Sequence, residues 1–462
     1  MSRRTFSRRI RVPVPVHELF AWHERPGAFQ RLSPPWDAPK VIEAVGGIRD
    51  GARVTLSVPA GPISTRWVLE HRDYEANRQF VDVLREGPFA HWVHTHRFTA
   101  DGPDASVLED HIEYELPFGV LGDAVAAGHA ESTLARVFAY RHEVMRADLA
   151  RHAPFADRPR LTVAITGASG FIGSQLAALL TTGGHRVLRI GRGAIRPGVT
   201  DIQWNPDRGA LDARALESVD AVVHLAGASI GERWSAAQRT AIRTSRIEGT
   251  SLLAHTLARL ERKPRVLVSG SAVGIYGSCG DAVLDESSAL GTDYLGATAQ
   301  AWEAATAPAA AAGIRVVHAR TGIVQGAAGG ALAKQLPLFR AGVGGPLGDG
   351  TQWVSPIALD DEIGALHYCL MQDDLSGAVN LVAPAACTNN EYTRVLAQVL
   401  GRPALFRVPE FALKLALGSE MASLTVLASQ RVLPSRLATA GFTFQRPTLE
   451  AMLRFELGLL SD

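Results

Sequence analysis

Three equally spaced glycines, Gly167, Gly170 and Gly173, are the residues whose type and spacing point most clearly to chemistry. They follow the β-branched run Thr162–Thr166, which is typical of a buried parallel strand, and precede an apolar helical segment. In such a turn the first glycine permits the tight bend, and the second lets backbone N–H groups approach a pyrophosphate. The third lets the helix lie close to the sheet, with its positive N-terminus towards the phosphates. We therefore predict a dinucleotide-binding turn rather than a plain loop.

The second strand after this turn indicates which dinucleotide binds. An NAD(H) site places an acid near the end of that strand to bind the ribose 2′-hydroxyl group, but no Asp or Glu lies between Gly184 and Thr200. That interval contains four arginines: Arg186, Arg189, Arg192 and Arg196. Arg192 lies just past the predicted strand, where a guanidinium group can bind a 2′-phosphate with two hydrogen bonds. The pattern favours NADP(H), and the alternative is a solvated basic loop.

Alternating strands and helices position these residues from Leu161 onward. The further predicted elements are strands over Asp220–Gly227, Arg265–Ser269 and Arg315–Arg320, and helices over Ala236–Leu260 and Ala297–Ala312. Strands separated by helices are typical of a doubly wound α/β sheet, the Rossmann fold, which opens its ligand crevice at the carboxyl ends of the strands. Beyond residue 325, glycine-rich and helical segments indicate a smaller substrate lobe.

The first 150 residues show a different pattern, in which short strands precede one long helix. The predicted strands are Ala52–Val58, Ser64–Asp73, Gln79–Leu84, His91–Thr99 and Ser106–Leu116. Apolar residues then recur at helical spacing from Leu134 to Leu149, in a segment that ends near Arg151. We predict an α+β domain over residues 1–152, in which a curved antiparallel sheet grips the helix. A proline-containing linker follows at 153–160.

Residues 6–150 resemble the START-like, polyketide-cyclase-type (SRPBCC) helix-grip family. The resemblance rests on the order of strands and helix and on the phrases WVHTHRF (Trp92–Phe98), DHIEYELPFG (Asp110–Gly119) and LARVFAYRHEVMRADL (Leu134–Leu149). The fold of that family encloses an apolar cavity between helix and sheet. The resemblance therefore implies that the N-terminal domain binds a small hydrophobic ligand.

Two histidines in this half, His94 and His96, are two residues apart on one predicted strand and so face the same side of the sheet. His111 lies on the following strand. A zinc site is one hypothesis, but no cysteine or suitably spaced acid completes a tetrahedral set of ligands. Cross-strand polar packing is therefore favoured, and no metal site is predicted.

Length and composition restrict the class of protein. At 462 residues the chain is too long for one hydrophobic core and predicts more than one domain. Its 47 basic and 46 acidic residues nearly cancel, so no net field favours nucleic acid or an anionic membrane. No apolar run approaches the ~20 residues that span a bilayer. Three widely spaced cysteines form neither a disulfide framework nor a metal motif. We expect a cytoplasmic protein with a small-molecule substrate, and the oligomeric state is left open.

Residues 161–462 resemble the extended short-chain dehydrogenase/reductase superfamily, and within it an epimerase-like subfamily of oxidoreductases often fused to a START-like domain. The phrases that carry the resemblance are GASGFIG, HLAGASIGERW, SRIEGT, SGSAVGIYG, RTGIVQGAAGGAL and LFRAGVGGPLGDG. The resemblance implies a Rossmann domain that binds NADP(H), with a C-terminal substrate lobe. The residues it assigns to the cofactor are Gly167, Ser169, Gly170, Phe171, Ile172, Gly173, Gly191, Arg192, Leu225, Ala226, Arg246 and Val324.

The catalytic pair of this superfamily is missing from the sequence. Active members use Tyr-x-x-x-Lys, in which the tyrosine is the acid/base and the lysine lowers its pKa. Here Ala299 occupies the lysine position and Leu295 the tyrosine position, while Tyr294 stands one residue away. Tyr294 is therefore interpreted as a packing residue in preference to a catalyst. Ser271 matches the serine that binds a substrate oxygen in the superfamily.

Two functions of different classes follow from these patterns. The leading one is NADP(H)-dependent oxidoreduction of a small carbonyl compound or alcohol, with Ser271 and Tyr294 as the catalytic candidates. The alternative is an NADP(H)-bound scaffold or sensor with impaired catalysis and a hydrophobic ligand in its N-terminal domain. The missing Tyr/Lys pair favours the alternative, whereas the cofactor turn favours neither.

Overall fold

The computed structural model of the chain describes residues 3–61, 63–116 and 119–460. It divides into two compact units. Unit 1 contains Met1–Arg158 together with Thr181–Gly184 and Leu457–Asp462, and unit 2 contains Pro159–Leu180 and His185–Glu456. The domain limits of 1–152 and 161–462, with a linker at 153–160, stay predictions.

Unit 1 is built on a seven-stranded antiparallel sheet with the strand order β1-β7-β6-β5-β4-β3-β2. The strands are β1 (Arg4–Val12), β2 (Lys40–Val45), β3 (Arg53–Ala60), β4 (Ile63–Glu75), β5 (Gln79–Glu86), β6 (His91–Ala100) and β7 (Ser106–Glu115). Buried and half-buried residues alternate along β7, as expected for a strand with one face on a core. The sequence pattern predicts β3 to β7 but neither β1, which is rich in arginine, nor β2, which is exposed along its whole length.

Within the described residues of unit 1, three helices accompany this sheet. They are α1 (Val16–Glu24), α2 (Ala28–Leu32) and α3 (Gly119–His152). Phe20 of α1, Phe98 and Leu108 of the sheet, and Met145 of α3 belong to one buried apolar cluster. The sheet therefore packs against the long helix, as the sequence predicts. The predicted linker begins as a short 3₁₀ helix, Ala153–Phe155, directly after α3.

Unit 2 is built on an eight-stranded sheet with the order β11-β10-β9-β8-β12-β13-β15-β19. These strands are β8 (Thr162–Thr166), β9 (Arg186–Gly191), β10 (Ile202–Asn205), β11 (Ala210–Leu211), β12 (Ala221–His224), β13 (Val266–Ala272), β15 (Arg315–Thr321) and β19 (Gly377–Leu381). All neighbouring pairs are parallel except β10 with β11. The strand order reverses between β8 and β12, which is where a doubly wound sheet opens its ligand crevice.

Pairs of short strands stand outside this sheet: β14 (Val283–Leu284) with β21 (Arg431–Val432), β16 (Ile323–Gly326) with β18 (Pro356–Ala358), and β17 (Trp353–Val354) with β20 (Cys387–Thr388). The helices of the first half are α4 (Phe171–Thr182), α5 (Ala213–Leu216), α6 (Ala236–Arg259), α7 (Tyr294–Ala304), α8 (Ala307–Ala311) and α9 (Gly330–Arg340). The later helices are α10 (Leu359–Met371), α11 (Asn389–Leu400), α12 (Glu410–Leu417), α13 (Ser419–Leu424), α14 (Ser435–Thr439) and α15 (Leu449–Glu456).

The single helix predicted over Ala297–Ala312 is wrong in its extent, because the structure has two helices, α7 and α8, in this region. Pro308 lies in the first turn of α8, where its missing N–H group is not needed. The Thr306 hydroxyl group donates to the carbonyl oxygen of Glu303 at the break. A proline and a local side-chain hydrogen bond thus end the alanine-rich helix early.

The predicted fold class is confirmed, with an antiparallel α+β region followed by a doubly wound parallel sheet. Among the residues that the structure describes, no helix combines the length and the apolar character needed to cross a membrane.

Candidate functional site

The glycine turn has the geometry that each glycine is predicted to serve. Gly167 has φ of 69°, and a Cβ atom there would lie 3.0 Å from the backbone nitrogen of Ala226. A Cβ atom on Gly173 would lie 2.2 Å from the Gly167 carbonyl oxygen, so helix α4 approaches the turn too closely for any side chain. At Gly170 the nearest such contact is 3.1 Å, and the residue is exposed. The turn thus needs Gly167 and Gly173 for its own packing, whereas Gly170 leaves the surface open.

A buried hydrogen-bonded group joins β8 to β12 at the carboxyl ends of both strands. The Thr166 hydroxyl oxygen accepts from the backbone nitrogens of Leu225 and Ala226, each at 3.1 Å. It also hydrogen-bonds His224 Nδ1 at 2.7 Å, and His224 Nε2 lies 2.9 Å from the Thr250 hydroxyl oxygen. Burial, aided by the nearby Arg246 cation, lowers the pKa of His224 to about 4. A neutral imidazole therefore holds the two strand ends that border the crevice.

The rim of the glycine turn meets a second glycine-rich loop. Ser169 is exposed, and Phe171 and Ile172 are half-buried. A Cβ atom on either Gly326 or Gly329 would lie 2.5 Å from the Phe171 ring, so this ring packs closely against the end of β16 and the loop that follows. Val324, in the middle of β16, is buried and pairs with Ile357 of β18. The structure therefore connects the turn to the strand that carries Val324.

Arg192 directly follows Gly191, the last residue of β9, and is exposed. Its guanidinium group has no hydrogen bond or ion pair with any residue in the described part of the chain. A Cβ atom on Gly191 would lie 2.9 Å from the Thr200 hydroxyl oxygen, so β9 ends in close contact with the following loop. The end of β9 thus presents an unpaired cation to solvent.

Helix α6 carries Arg239, Arg243, Arg246 and Arg259, and Arg246 contacts the backbone just after β12. Arg246 is half-buried and donates to the carbonyl oxygens of Ala228 and Ile242 at 3.0 and 3.1 Å. Its guanidinium lies 5.1 Å from the centre of the Trp302 ring. Burial lowers the pKa of Arg246, and no acidic side chain pairs with it within the described residues. It is therefore a half-buried cation at the end of β12.

Ser271 is buried in an ion-paired network instead of lining an open crevice. It is 4% exposed, and its hydroxyl group donates to Glu303 Oε1 at 2.7 Å. The Arg320 guanidinium donates to both carboxylate oxygens of Glu303, at 2.8 and 2.9 Å, and to the Tyr276 hydroxyl oxygen at 3.0 Å. Sequence reasoning missed Glu303 and Arg320, although Arg320 begins RTGIVQGAAGGAL, one of the phrases that carry the family resemblance. A catalytic role for Ser271 stays a prediction.

Tyr294 is the first residue of α7, and its hydroxyl group donates to the carbonyl oxygen of Arg239 at 2.6 Å. Its ring makes an edge contact with Trp234, at 5.5 Å between centroids. Ala299, at the lysine position, is buried in an apolar cluster with Ile275 and Val432. This geometry favours the packing interpretation of Tyr294, and the lysine position offers no charged group.

In unit 1, His94 and His96 share one face of β6, but His111 lies on the other face. His111 pairs in register with Thr95, and its Nδ1 hydrogen-bonds the Ser7 hydroxyl group at 2.6 Å. The two histidines make cross-strand polar contacts, with partners that sequence reasoning did not name. Neighbouring strands bring two aspartates to them, as His94 Nε2 lies 2.9 Å from Asp110 Oδ1 and His96 Nε2 lies 3.2 Å from Asp82 Oδ2.

The surroundings shift the pKa values of the two imidazoles in opposite directions. Burial, together with the neighbouring His96, lowers the pKa of His94 to about 4. Burial also opposes a charge on His96, but the adjacent carboxylates of Asp110 and Asp82 outweigh it and raise the pKa of His96 to about 9. The two carboxylates of Asp82 and Asp110 therefore favour positive charge at His96.

A cavity of about 10 Å³, room for about one water molecule, lies beside this group. Its walls include His96, Asp110, His142 and Arg141 as well as apolar side chains. It is therefore smaller and more polar than the apolar cavity that the START-like resemblance implies. A hydrophobic ligand for this domain stays a prediction.

The fold and the glycine turn define unit 2 as a Rossmann-type domain of the kind that binds dinucleotides. Comparison with known proteins agrees: the NAD dependent epimerase/dehydratase family matches residues 163–381, and a domain of unknown function matches 408–456. The polyketide cyclase/dehydrase and lipid transport family matches residues 12–143. Both resemblances predicted from the sequence are confirmed.

Individual relatives support the same assignment. An epimerase family protein of Mycobacterium bovis is 43% identical over 294 residues, which cover 63% of this chain and 96% of the relative. A crystal structure of a nucleoside-diphosphate sugar epimerase from Corynebacterium glutamicum is 32% identical and covers 98% of this chain and 90% of its own, with a TM-score of 0.80. A human epimerase family protein crystallised with NADPH is 31% identical over 64% of this chain and 98% of its own, with a TM-score of 0.57. The chain belongs to the epimerase family.

Proposed function

We propose that this chain binds NADP(H) at the crevice between β8 and β12 and uses it to reduce or oxidise a small carbonyl compound or alcohol. The observation that carries the choice of cofactor is Arg192, an exposed and unpaired guanidinium directly after β9. No acid stands between Gly184 and Thr200 to bind a ribose 2′-hydroxyl group. The human relative that was crystallised with NADPH supports the same choice.

The remaining cofactor contacts in this proposal come from backbone and small side chains. The open surface at Ser169 and Gly170 faces the start of α4, where the N–H groups and helix dipole favour a pyrophosphate. Arg246 adds a cation without an acidic partner in the described part of the chain. The other proposed cofactor residues are Gly167, Phe171, Ile172, Gly173, Gly191, Leu225, Ala226 and Val324.

NADP(H), when bound, supplies or accepts the hydride, and the chain must then handle a proton at the substrate oxygen. Ser271 and Tyr294 are the candidates for this role. The Ser271 hydroxyl group donates to Glu303, which leaves its oxygen lone pairs to accept a hydrogen bond but makes it a weak acid. Tyr294 would have to break its bond to the Arg239 carbonyl oxygen before it reached a substrate. We therefore propose slow turnover.

The choice of cofactor is tested by fluorescence titration with NADPH and NADH. We expect the unmodified protein to bind NADPH more tightly than NADH. Arg192→Ala should weaken NADPH binding by about 1.5–3 kcal/mol, the usual contribution of a hydrogen bond to a charged group. NADH binding should barely change. Arg196→Ala, which removes an exposed arginine of the same loop, is the matched control and should leave the preference intact. Equal dissociation constants for NADPH and NADH in the unmodified protein would contradict the proposal.

A second candidate function is an NADP(H)-bound scaffold or sensor. It is favoured by one observation, the apolar packing of Ala299 where active relatives of the superfamily place a lysine. The two candidates differ in turnover: NADPH oxidation in the presence of small aldehydes and ketones supports the oxidoreductase. Tight NADPH binding without consumption across such a panel, together with a ligand-dependent change in unit 1, supports the sensor.

A further inference from the structure

The side chains of Asp82, His94 and His96 meet on one face of the unit 1 sheet. Asp82 of β5 pairs in register with His94 of β6, and His96 follows two residues later, so all three point to the same side. One donor atom from each residue lies within 4.8 Å of the others. Two imidazoles and one carboxylate are a donor set that zinc binds in proteins.

The distances from Asp82 to the two histidine donors are close to those around a tetrahedral ion. Asp82 Oδ2 lies 3.2 Å from His96 Nε2 and 3.7 Å from His94 Nδ1. Zinc bonds of about 2.0–2.1 Å separate two ligand atoms of a tetrahedron by about 3.4 Å. A small movement of the His94 ring would bring its Nδ1 to this distance from Asp82 Oδ2. We propose that Asp82, His94 and His96 bind one zinc ion, through Oδ2, Nδ1 and Nε2 respectively.

The partners around these donors are those that a metal site needs. The far nitrogens of the two imidazoles, His94 Nε2 and His96 Nδ1, each lie 2.9 Å from Asp110 Oδ1. The other oxygen of Asp82 lies 2.9 Å from His71 Nε2. Carboxylates that hold the far nitrogen of a ligating histidine orient the ring and raise its basicity. Asp110 is in this sense a positioning residue for His94, whose Nε2 it hydrogen-bonds.

Unsatisfied donor and acceptor atoms distinguish this arrangement from a complete hydrogen-bonded network. His94 is 3% exposed, yet the 3.7 Å from its Nδ1 to Asp82 Oδ2 is too long for a hydrogen bond. His96 Nδ1 and Asp82 Oδ1 are both close to a charged partner, but the angles exclude a hydrogen bond. Buried polar atoms without partners are costly, and the proposed ion would satisfy His94 Nδ1 directly.

The burial of the three residues indicates how the ion would be enclosed. His94 and His96 are buried, and the Phe80 ring stacks on His96 at 4.1 Å. The Asp82 side chain is 17% exposed, so the fourth coordination position of the ion would face solvent beside Asp82. Three protein ligands with one open position are typical of zinc sites that bind a water molecule or a small anionic ligand.

The test uses the full-length protein, stripped with a chelator and then titrated with Zn²⁺, with Co²⁺ as a spectroscopic substitute. We expect one equivalent of Zn²⁺ per chain and intense visible Co²⁺ bands typical of tetrahedral coordination. Asp82→Asn, His94→Gln and His96→Gln should each weaken binding by more than about 100-fold, and Asp110→Asn by about 10–100-fold. His111→Gln is the matched control, because it removes an imidazole from the other face of the same sheet.

Three results would overturn the proposal. One is the absence of stoichiometric Zn²⁺ and of tetrahedral Co²⁺ bands in the unmodified protein, a measurement that needs no variant to fold. Another is unchanged Zn²⁺ affinity in folded Asp82→Asn or His96→Gln protein, which would place the metal elsewhere. The third is equal weakening by His111→Gln, which would show that the effect is not specific to the three ligands.

Discussion

The proposed cofactor crevice of unit 2 and the histidine cluster of unit 1 are built in opposite ways. Gly167, Gly170 and Gly173 lie in one short segment and act through backbone conformation and close packing. Asp82, His94, His96 and Asp110 come from three strands and act through their side chains. The first kind of site is a property of local sequence, whereas the second exists only after strands have paired in one register.

The pKa values of buried carboxyl groups are shifted in opposite directions in the two units. In unit 1, burial works against the charged forms of Asp82 and Asp110, yet hydrogen bonds from histidines hold the pKa of each well below its usual value. In unit 2, Glu362 of α10 is buried with one hydrogen bond, from the Thr321 hydroxyl group at 2.8 Å, and burial raises its pKa to about 8. A buried acid with charged partners stays ionised, and one without them stays protonated.

Valine substitutions in the glycine turn should have the largest effects on stability and on NADPH binding. They should also show which glycine is needed for packing and which for the cofactor. Gly173→Val should destabilise unit 2 strongly, because the new Cβ atom would lie 2.2 Å from the Gly167 carbonyl oxygen. Gly170→Val should disturb the fold much less, because Gly170 is exposed and its Cβ atom would meet one atom, the Gly167 carbonyl oxygen, at 3.1 Å, but it should abolish NADPH binding by blocking the approach of a pyrophosphate. Circular dichroism and NADPH titration measure the two effects. Unchanged affinity in folded Gly170→Val protein would show that the cofactor lies elsewhere.

Glu362→Gln should stabilise the protein at high pH and have little effect at low pH. Between the usual glutamate pKa and the raised value of about 8, the folded state keeps a proton that the unfolded state has released. The free energy of unfolding of the unmodified protein therefore falls as pH rises through this window, by on the order of a few kcal/mol, and the variant escapes this loss. Melting temperatures of both proteins at about pH 5 and about pH 9 test the sign. A difference that is the same at both pH values would show that Glu362 does not titrate in the window.

Tyr294→Phe should have the smallest effect, less than about tenfold on any NADPH-dependent turnover, because its hydroxyl group is bound to the Arg239 carbonyl oxygen. Ser271→Ala should change turnover more, since it removes a hydroxyl group from the Glu303 and Arg320 network. Steady-state rates and NADPH affinities of both variants are the measurement. Loss of a robust activity in Tyr294→Phe, with NADPH binding retained, would make Tyr294 the acid of an ordinary reductase.

The comparison of the units explains which predictions succeeded. The glycine spacing and the β-branched run before it predict strand β8, the turn and helix α4, because each of these depends on residues next to it in the chain. The break between α7 and α8 was missed, because the alanine-rich composition outweighed Pro308 in the helix prediction. Strand β1 was missed because its arginines hide the alternation of Phe6, Ile10 and Val12.

The sequence by itself determined the two fold classes, the glycine turn and the lack of an acid after β9, since local conformation and residue type suffice for these. Only the tertiary structure decided that Ser271 joins Glu303 and Arg320, because β13, β15 and α7 must pack before these side chains meet. It likewise decided that Asp82 and Asp110 approach His94 and His96 while His111 faces away. Strand register sets these contacts, and a shift of one residue would move each side chain to the opposite face of the sheet.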